Sequence, residues 1–152
     1  SWVCSPIGHN FVKTMLRLAR DREEIAVVDD QWGAPTFASD LAAAIMSIGD
    51  KFASADDRSH LSGIYHASSA GETTWCRLAQ EIMAQFAAKG GRACRVRAIA
   101  SSEYPTQAMR PTDSRLDCSK LKRVFGISLP RWQTSLETCL DLLIAPTART
   151  SI

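Results

Sequence analysis

The chain has 152 residues, 45% of them hydrophobic and 22% charged, with a formal net charge of +2. That length is enough to bury one core, and the composition is ordinary for a globular domain. The charge is too small to point to nucleic acid or a membrane surface as a partner, and no apolar run is long enough to span a bilayer.

Trp2-Val3-Cys4 is a short apolar run, read as a buried strand and stopped by Ser5-Pro6 and Gly8. Asn10 is placed to cap the helix that follows, in which Phe11, Met15 and Leu18 recur at core spacing opposite a basic stripe of Lys13, Arg17 and Arg20. Ile25 to Val28 is β-branched and predicts a strand leading into Asp29-Asp30. Gly33 and Pro35 punctuate a loop, and Leu41, Ile45 and Ile48 mark the inner face of a second helix. Residues 54–62 read as an exposed connection and Ile64-Tyr65-His66 as a short strand.

Thr73 or Thr74 caps a third helix with Trp75, Leu78, Ile82 and Phe86 inward, ended by Gly90-Gly91. Val96 to Ile99 is a further strand, and the nearby Arg92, Arg95 and Arg97 read as a solvated strand or loop. Leu121, Val124 and Phe125 form a brief helix closed by Gly126. After Pro130 comes a last helix with Trp132, Leu136, Cys139, Leu140 and Leu143 on its inner face, and beyond Pro146 a small polar tail expected to fray. Strands alternating with helices give α/β or α+β.

The five cysteines (Cys4, Cys76, Cys94, Cys118, Cys139) include no C-x-x-C pair, and His9, His60 and His66 do not cluster with them, so no metal spacing is present. Unpaired, core-spaced cysteines imply a reduced, cytoplasmic setting. None of the eight glycines builds a G-x-G-x-x-G turn. Ser69 stands four residues after Tyr65 and Ala108 four after Tyr104, so no Tyr-x-x-x-Lys occurs. A tyrosine general acid needs that lysine one helical turn away, where its charge lowers the phenol pKa.

Three segments carry a resemblance: Ser1-Trp2-Val3-Cys4-Ser5, Asp30-Gln31-Trp32-Gly33-Ala34-Pro35-Thr36, and Arg110-Pro111 with Ser114 and Leu116. In this order they resemble the C-terminal half of dTDP-4-dehydrorhamnose reductases, extended short-chain dehydrogenases of nucleotide-sugar metabolism. Cys4 departs from the tyrosine usual in that family. The resemblance implies an α/β fold: the end of a Rossmann sheet (residues 1–24), a mainly substrate-binding α/β region with some return to the Rossmann domain (25–146), and a flexible tail (147–152). It implies NAD(P)H-dependent reduction of the C4 ketone of dTDP-4-dehydro-6-deoxy-L-mannose to give dTDP-L-rhamnose, in a homodimer that in some members binds Mg2+. The glycine-rich loop and the Tyr/Lys pair would precede Ser1, so the expectation is that Ser1 is not a natural start, through either an artificial boundary or a truncated reading frame, and that the fragment alone is inactive.

The resemblance also implies site residues. Arg110 is the expected diphosphate ligand, since a guanidinium fork binds phosphate oxygens bidentately, and Pro111 biases Arg110 toward an extended backbone. Trp2 is read both as core and as an indole packing on the sugar's C–H face. Gln31 either contacts nucleotide or sugar or pins its loop. Asn10 is a cap first and a pocket residue second, and Tyr104, in Tyr104-Pro105-Thr106, is pocket rim or plain turn. His66, Glu72, Trp75 and Trp132 read as structural, with Glu72 facing the positive end of the third helix. Two rival readings stand: a non-catalytic regulatory subunit of the same superfamily, like the methionine adenosyltransferase regulatory chain, and a reductase or epimerase for another nucleotide sugar.

Overall fold

The computed structural model describes residues 1–104, 106, 108 and 110–145; Pro105 and the expected tail at 147–152 lie outside them. The order is β1 (Val3–Cys4), α1 (Phe11–Asp21), β2 (Glu24–Val28), β3 (Trp32–Gly33), β4 (Thr36–Phe37), α2 (Ala38–Ser54), β5 (Thr73–Thr74), α3 (Trp75–Ala88), β6 (Arg95–Ile99), α4 (Ser119–Phe125) and α5 (Trp132–Ile144), with single 3-10 turns at Ser59–Leu61 and Ser101–Glu103. The fold is mixed α/β, as expected.

Three strand pairs hold it. β1 and β4 run parallel with Val3 opposite Thr36, and β2 and β6 run parallel from Glu24–Arg95 to Val28–Ile99. β3 and β5 pair antiparallel, Trp32 opposite Thr74. The parallel pairs need helical crossovers, which α1, α2 and α3 supply.

α3 is the central helix. Its Thr74 N-cap hydroxyl accepts from the Arg77 N–H at 3.2 Å and donates to the Asp29 carboxylate, tying the helix start to the end of β2. Cys76, Leu78, Ala79, Ile82 and Met83 are buried against α1, β2 and α5 in the main core, which also takes Val12, Met15, Ile25, Val27, Leu136 and Leu140. A satellite core of Ala44, Leu61, Leu121, Phe125 and Leu129 lies under α2 and α4, with Tyr65 edge-on to Phe125 at 5.1 Å. Gly126, left-handed at φ +65°, ends α4 and donates its N–H to Lys122. Cys4 and Cys139 are buried among apolar side chains, and that desolvation is the main cause pushing their thiols up to about 12 and about 11.

Four expectations need correction. Ile64-Tyr65-His66 is not a strand: among the described residues it has no ladder partner, and Ile64 is 82% exposed. The apolar run is there, but a strand exists only through pairing. Ile45 points outward at 65% exposure, and Ala44 takes the buried position, with Leu41 and Ile48 packed beside it. Adjacent residues on a helix do not share a face, so the small residue took the inner position and the larger one turned outward. Val3 is also exposed, leaving Cys4 as the buried residue of β1. Glu72 has a partner besides the α3 dipole: its carboxylate accepts from Arg115 at 2.6 Å.

The core assignment predicts an asymmetry on α5. Leu136→Ala, at a fully buried position, should cost about 2–5 kcal/mol in urea unfolding, and Leu142→Ala, at a 62% exposed one, under about 0.5 kcal/mol. Equal costs would place α5 the wrong way round.

Candidate functional site

An open cleft of about 900 Å³ lies between α1, β2, the Ser101–Glu103 turn and the residues leading to Arg110. Gln31, Tyr104 and Arg110 all line it, although Gln31 and Arg110 are far apart in sequence. Phe11, Met15, Leu18 and Trp75 make an apolar wall, Thr14 and Ser101 add hydroxyls, and Arg22 at the end of α1 adds a second guanidinium.

Consecutive residues of one segment hold both ends of the arm that carries Tyr104 and Arg110. At the first end the Ser101 hydroxyl donates to Asp30 Oδ1 (2.5 Å), the Ser101 N–H donates to Asp30 Oδ2 (2.9 Å), and Gln31 Nε2 donates to the Ser101 hydroxyl (2.8 Å). The two bonds from Ser101, the hydroxyl's first, hold the Asp30 carboxyl below the ordinary carboxylate range. At the second end Trp32 N–H donates to Thr112 O (2.8 Å), while Ser114 N–H (2.9 Å) and its hydroxyl (3.0 Å) donate to Trp32 O. Gln31 is thus a loop pin that also faces the cleft.

Trp2 stacks on Trp75 with centroids 3.7 Å apart and planes 16° from parallel, and Phe11 tilts onto Trp75 at 4.7 Å. Trp75, read from sequence as packing, lines the cleft, and Trp2 does not line it but backs Trp75 through this stack. Gly33 makes the stack possible, because a Cβ there would run into the Trp2 indole. Asn10 is engaged at both ends of its amide: Oδ1 accepts from Lys13 N–H (3.3 Å) and Nδ2 donates to Ser5 O (2.6 Å). It caps α1 and so places Phe11, its neighbour, in the cleft.

Pro35 and Thr36 are fully buried, and the Thr36 hydroxyl donates to Ala34 O at 3.1 Å, so this part of the loop is structural. A second cavity of about 550 Å³, beside Ser68–Glu72 and Lys122, contains none of the expected site residues. Among the described residues no three His, Cys, Asp or Glu side chains cluster to hold a metal, and no helix is long and apolar enough to cross a membrane. Arg22 and Trp75 escaped the sequence reading. Arg22 reads as a helix-end cation, and Trp75 sits on a heptad-like core face, so neither carries a local signal of a cleft.

The cleft joins an aromatic wall, hydroxyls and two guanidinium groups, a combination suited to an anionic ligand that also has an apolar face. The family profile described as the RmlD substrate binding domain matches residues 1–144. The chain belongs to that family. It is 46% identical over 135 residues to the dTDP-4-dehydrorhamnose reductase of Sinorhizobium fredii, covering 89% of this chain and 45% of that protein. Solved dTDP-4-dehydrorhamnose reductases superimpose on it: that of Bacillus anthracis, in complex with NADP, at 33% identity and TM-score 0.77, over 92% of this chain and 46% of that one, and that of Clostridium acetobutylicum at 32% identity and TM-score 0.81, over 94% and 46%. The chain spans about half the length of the relatives it matches.

Face-to-face indoles couple excitonically, so the chain should show a paired far-ultraviolet dichroism band. Trp2→Phe and Trp75→Phe should each abolish it, whereas Trp132→Phe should leave it. A band surviving loss of Trp2 would refute the stack.

Proposed function

We propose that this chain is the substrate-holding part of a dTDP-4-dehydrorhamnose reductase. The observation that carries this reading is the convergence of Gln31, Tyr104 and Arg110, drawn from two of the family-like segments and the loop between them, on one cleft. Arg110 binds the diphosphate through its fork and Arg22 faces the same charge from the end of α1. Trp75, backed by Trp2, packs the apolar face of the sugar. Tyr104 and Gln31 shape the rim. Burying such a wall against the ring excludes water from the face where the C4 ketone is reduced.

The β1–α1 connection does not fit the pyrophosphate of a dinucleotide. The β1–α1 connection carries one glycine, Gly8, and the α1 N-terminus is closed by the Asn10 side chain, so no open cradle of backbone N–H groups meets a pyrophosphate there. In the intact reductase NADPH or NADH would be held elsewhere and supply the hydride, together with a Tyr-x-x-x-Lys pair. A homodimer and bound Mg2+ belong to the same proposal for the whole enzyme. The part of the reaction assigned to this chain is binding and orientation.

Two outcomes follow. The 152-residue chain, free of any full-length enzyme, should show no NADPH oxidation dependent on dTDP-4-dehydrorhamnose; measurable turnover would reject the division of labour. Arg110→Ala should weaken dTDP binding about 10- to 150-fold in calorimetric titration, with Arg110→Lys restoring only part because it keeps the charge and loses the fork. Unchanged dTDP affinity in folded Arg110→Ala protein would remove Arg110 from the site.

A further inference from the structure

Outside the cleft wall, the densest polar cluster surrounds Trp32. The Arg115 guanidinium grips both oxygens of Asp113, Nε at 2.9 and 3.1 Å and a terminal nitrogen at 2.7 Å, and its other terminal nitrogen donates to Glu72 at 2.6 Å. The same guanidinium lies 5.8 Å from the Trp32 ring centroid, and that of Arg77 lies 5.0 Å from it. Asp113 is the residue in register with Trp32 in a parallel bridge. All three charged partners are substantially exposed, and exposed ion pairs contribute little to global stability. The cluster therefore needs a local reason.

We propose that the Glu72–Arg115–Asp113 cluster, seated on Trp32, is a clamp that fixes residues 112–114 against β3 and thereby sets where Arg110 presents its guanidinium to the diphosphate. The clamp rests on the reading of the cleft as a nucleotide-diphosphate site. Its logic is geometric. Between Arg110 and the clamped Thr112 stands only Pro111, whose ring locks φ and restricts the residue before it. Few torsions separate the anchor from the arginine, so a slip of the anchor displaces the fork. Glu72 precedes β5, so the clamp ties the arm to the strand that pairs with Trp32 and leads into α3. Arg115 already holds two carboxylates and is a positioning residue, not a phosphate ligand. Asp113 is held down to about 2, chiefly by its hydrogen bonds from Arg115, so the pair is ionised across the working pH range.

The test is a cycle of Arg115→Ala and Arg110→Ala in this chain, titrated with dTDP and with thymidine, which lacks phosphates. Arg115→Ala should weaken dTDP about 3- to 10-fold and leave thymidine and the melting temperature nearly unchanged. Arg115→Lys should restore only part of the dTDP affinity, since an ammonium keeps the charge but lacks the planar fork that holds both Asp113 oxygens while reaching Glu72. Glu72→Gln, a milder change, should give a smaller loss in the same direction. In the Arg110→Ala background Arg115→Ala should cost nothing further. The clamp is overturned if Arg115→Ala leaves dTDP affinity intact, weakens thymidine equally, or adds its full effect to Arg110→Ala. If Arg110→Ala alone has no effect, the reading of the cleft fails and takes the clamp with it.

Discussion

The backbone of Trp32 is paired on both edges, and the site depends on that. On one side Trp32 lies opposite Thr74 in the β3–β5 pair; on the other its N–H and C=O are bonded to Thr112 and Ser114. The two residues before it, Asp30 and Gln31, hold Ser101. Three consecutive residues therefore anchor the beginning and the end of the arm that carries Tyr104 and Arg110. Loop closure costs entropy, and here it is offset by side-chain bonds from Asp30 and Gln31 and backbone bonds from Trp32, all on a segment that the sheet already fixes.

The same segment builds the opposite wall. Gly33 admits the Trp2 indole, Trp2 stacks on Trp75, and Trp75 is the first residue of the helix that organises the main core. Packing and recognition are thus continuous. The aromatic wall is rigid because it is an extension of the core, and the cationic side is placed by hydrogen bonds and ion pairs at the surface. A flexible wall would lose more entropy on binding than a preorganised one.

Local rules made much of this legible from the residues. Asn10 and Thr74 cap helices because side-chain oxygens reach the free N–H groups there, and Leu78, Ile82, Leu136 and Leu140 are buried where helical spacing puts them. Periodicity failed where the outcome depended on a neighbour. Ile64–His66 is apolar and β-branched at its start, yet a strand needs a partner that the described residues do not provide. Ile45 and Ala44 compete for one face, and only tertiary packing decides. Of the site, Gln31 and Arg110 were visible through the family-like segments. Arg22 and Trp75 were not, because a helix-end arginine and a core-spaced tryptophan look the same whether or not a cleft opens beside them. The Trp2 indole packs against the main core and backs Trp75 without lining the cleft, and Asn10 acts on the cleft only by placing Phe11.

Membership in the RmlD substrate binding domain family fits the proposal that the cleft holds a ligand. The most direct test is a crystal structure of the chain grown with dTDP. The account predicts diphosphate oxygens within hydrogen-bond reach of Arg110 and the ligand lying along the wall of Phe11 and Trp75. Diphosphate bound in the smaller cavity beside Ser69 and Lys122, with the larger cleft left to solvent, would contradict it.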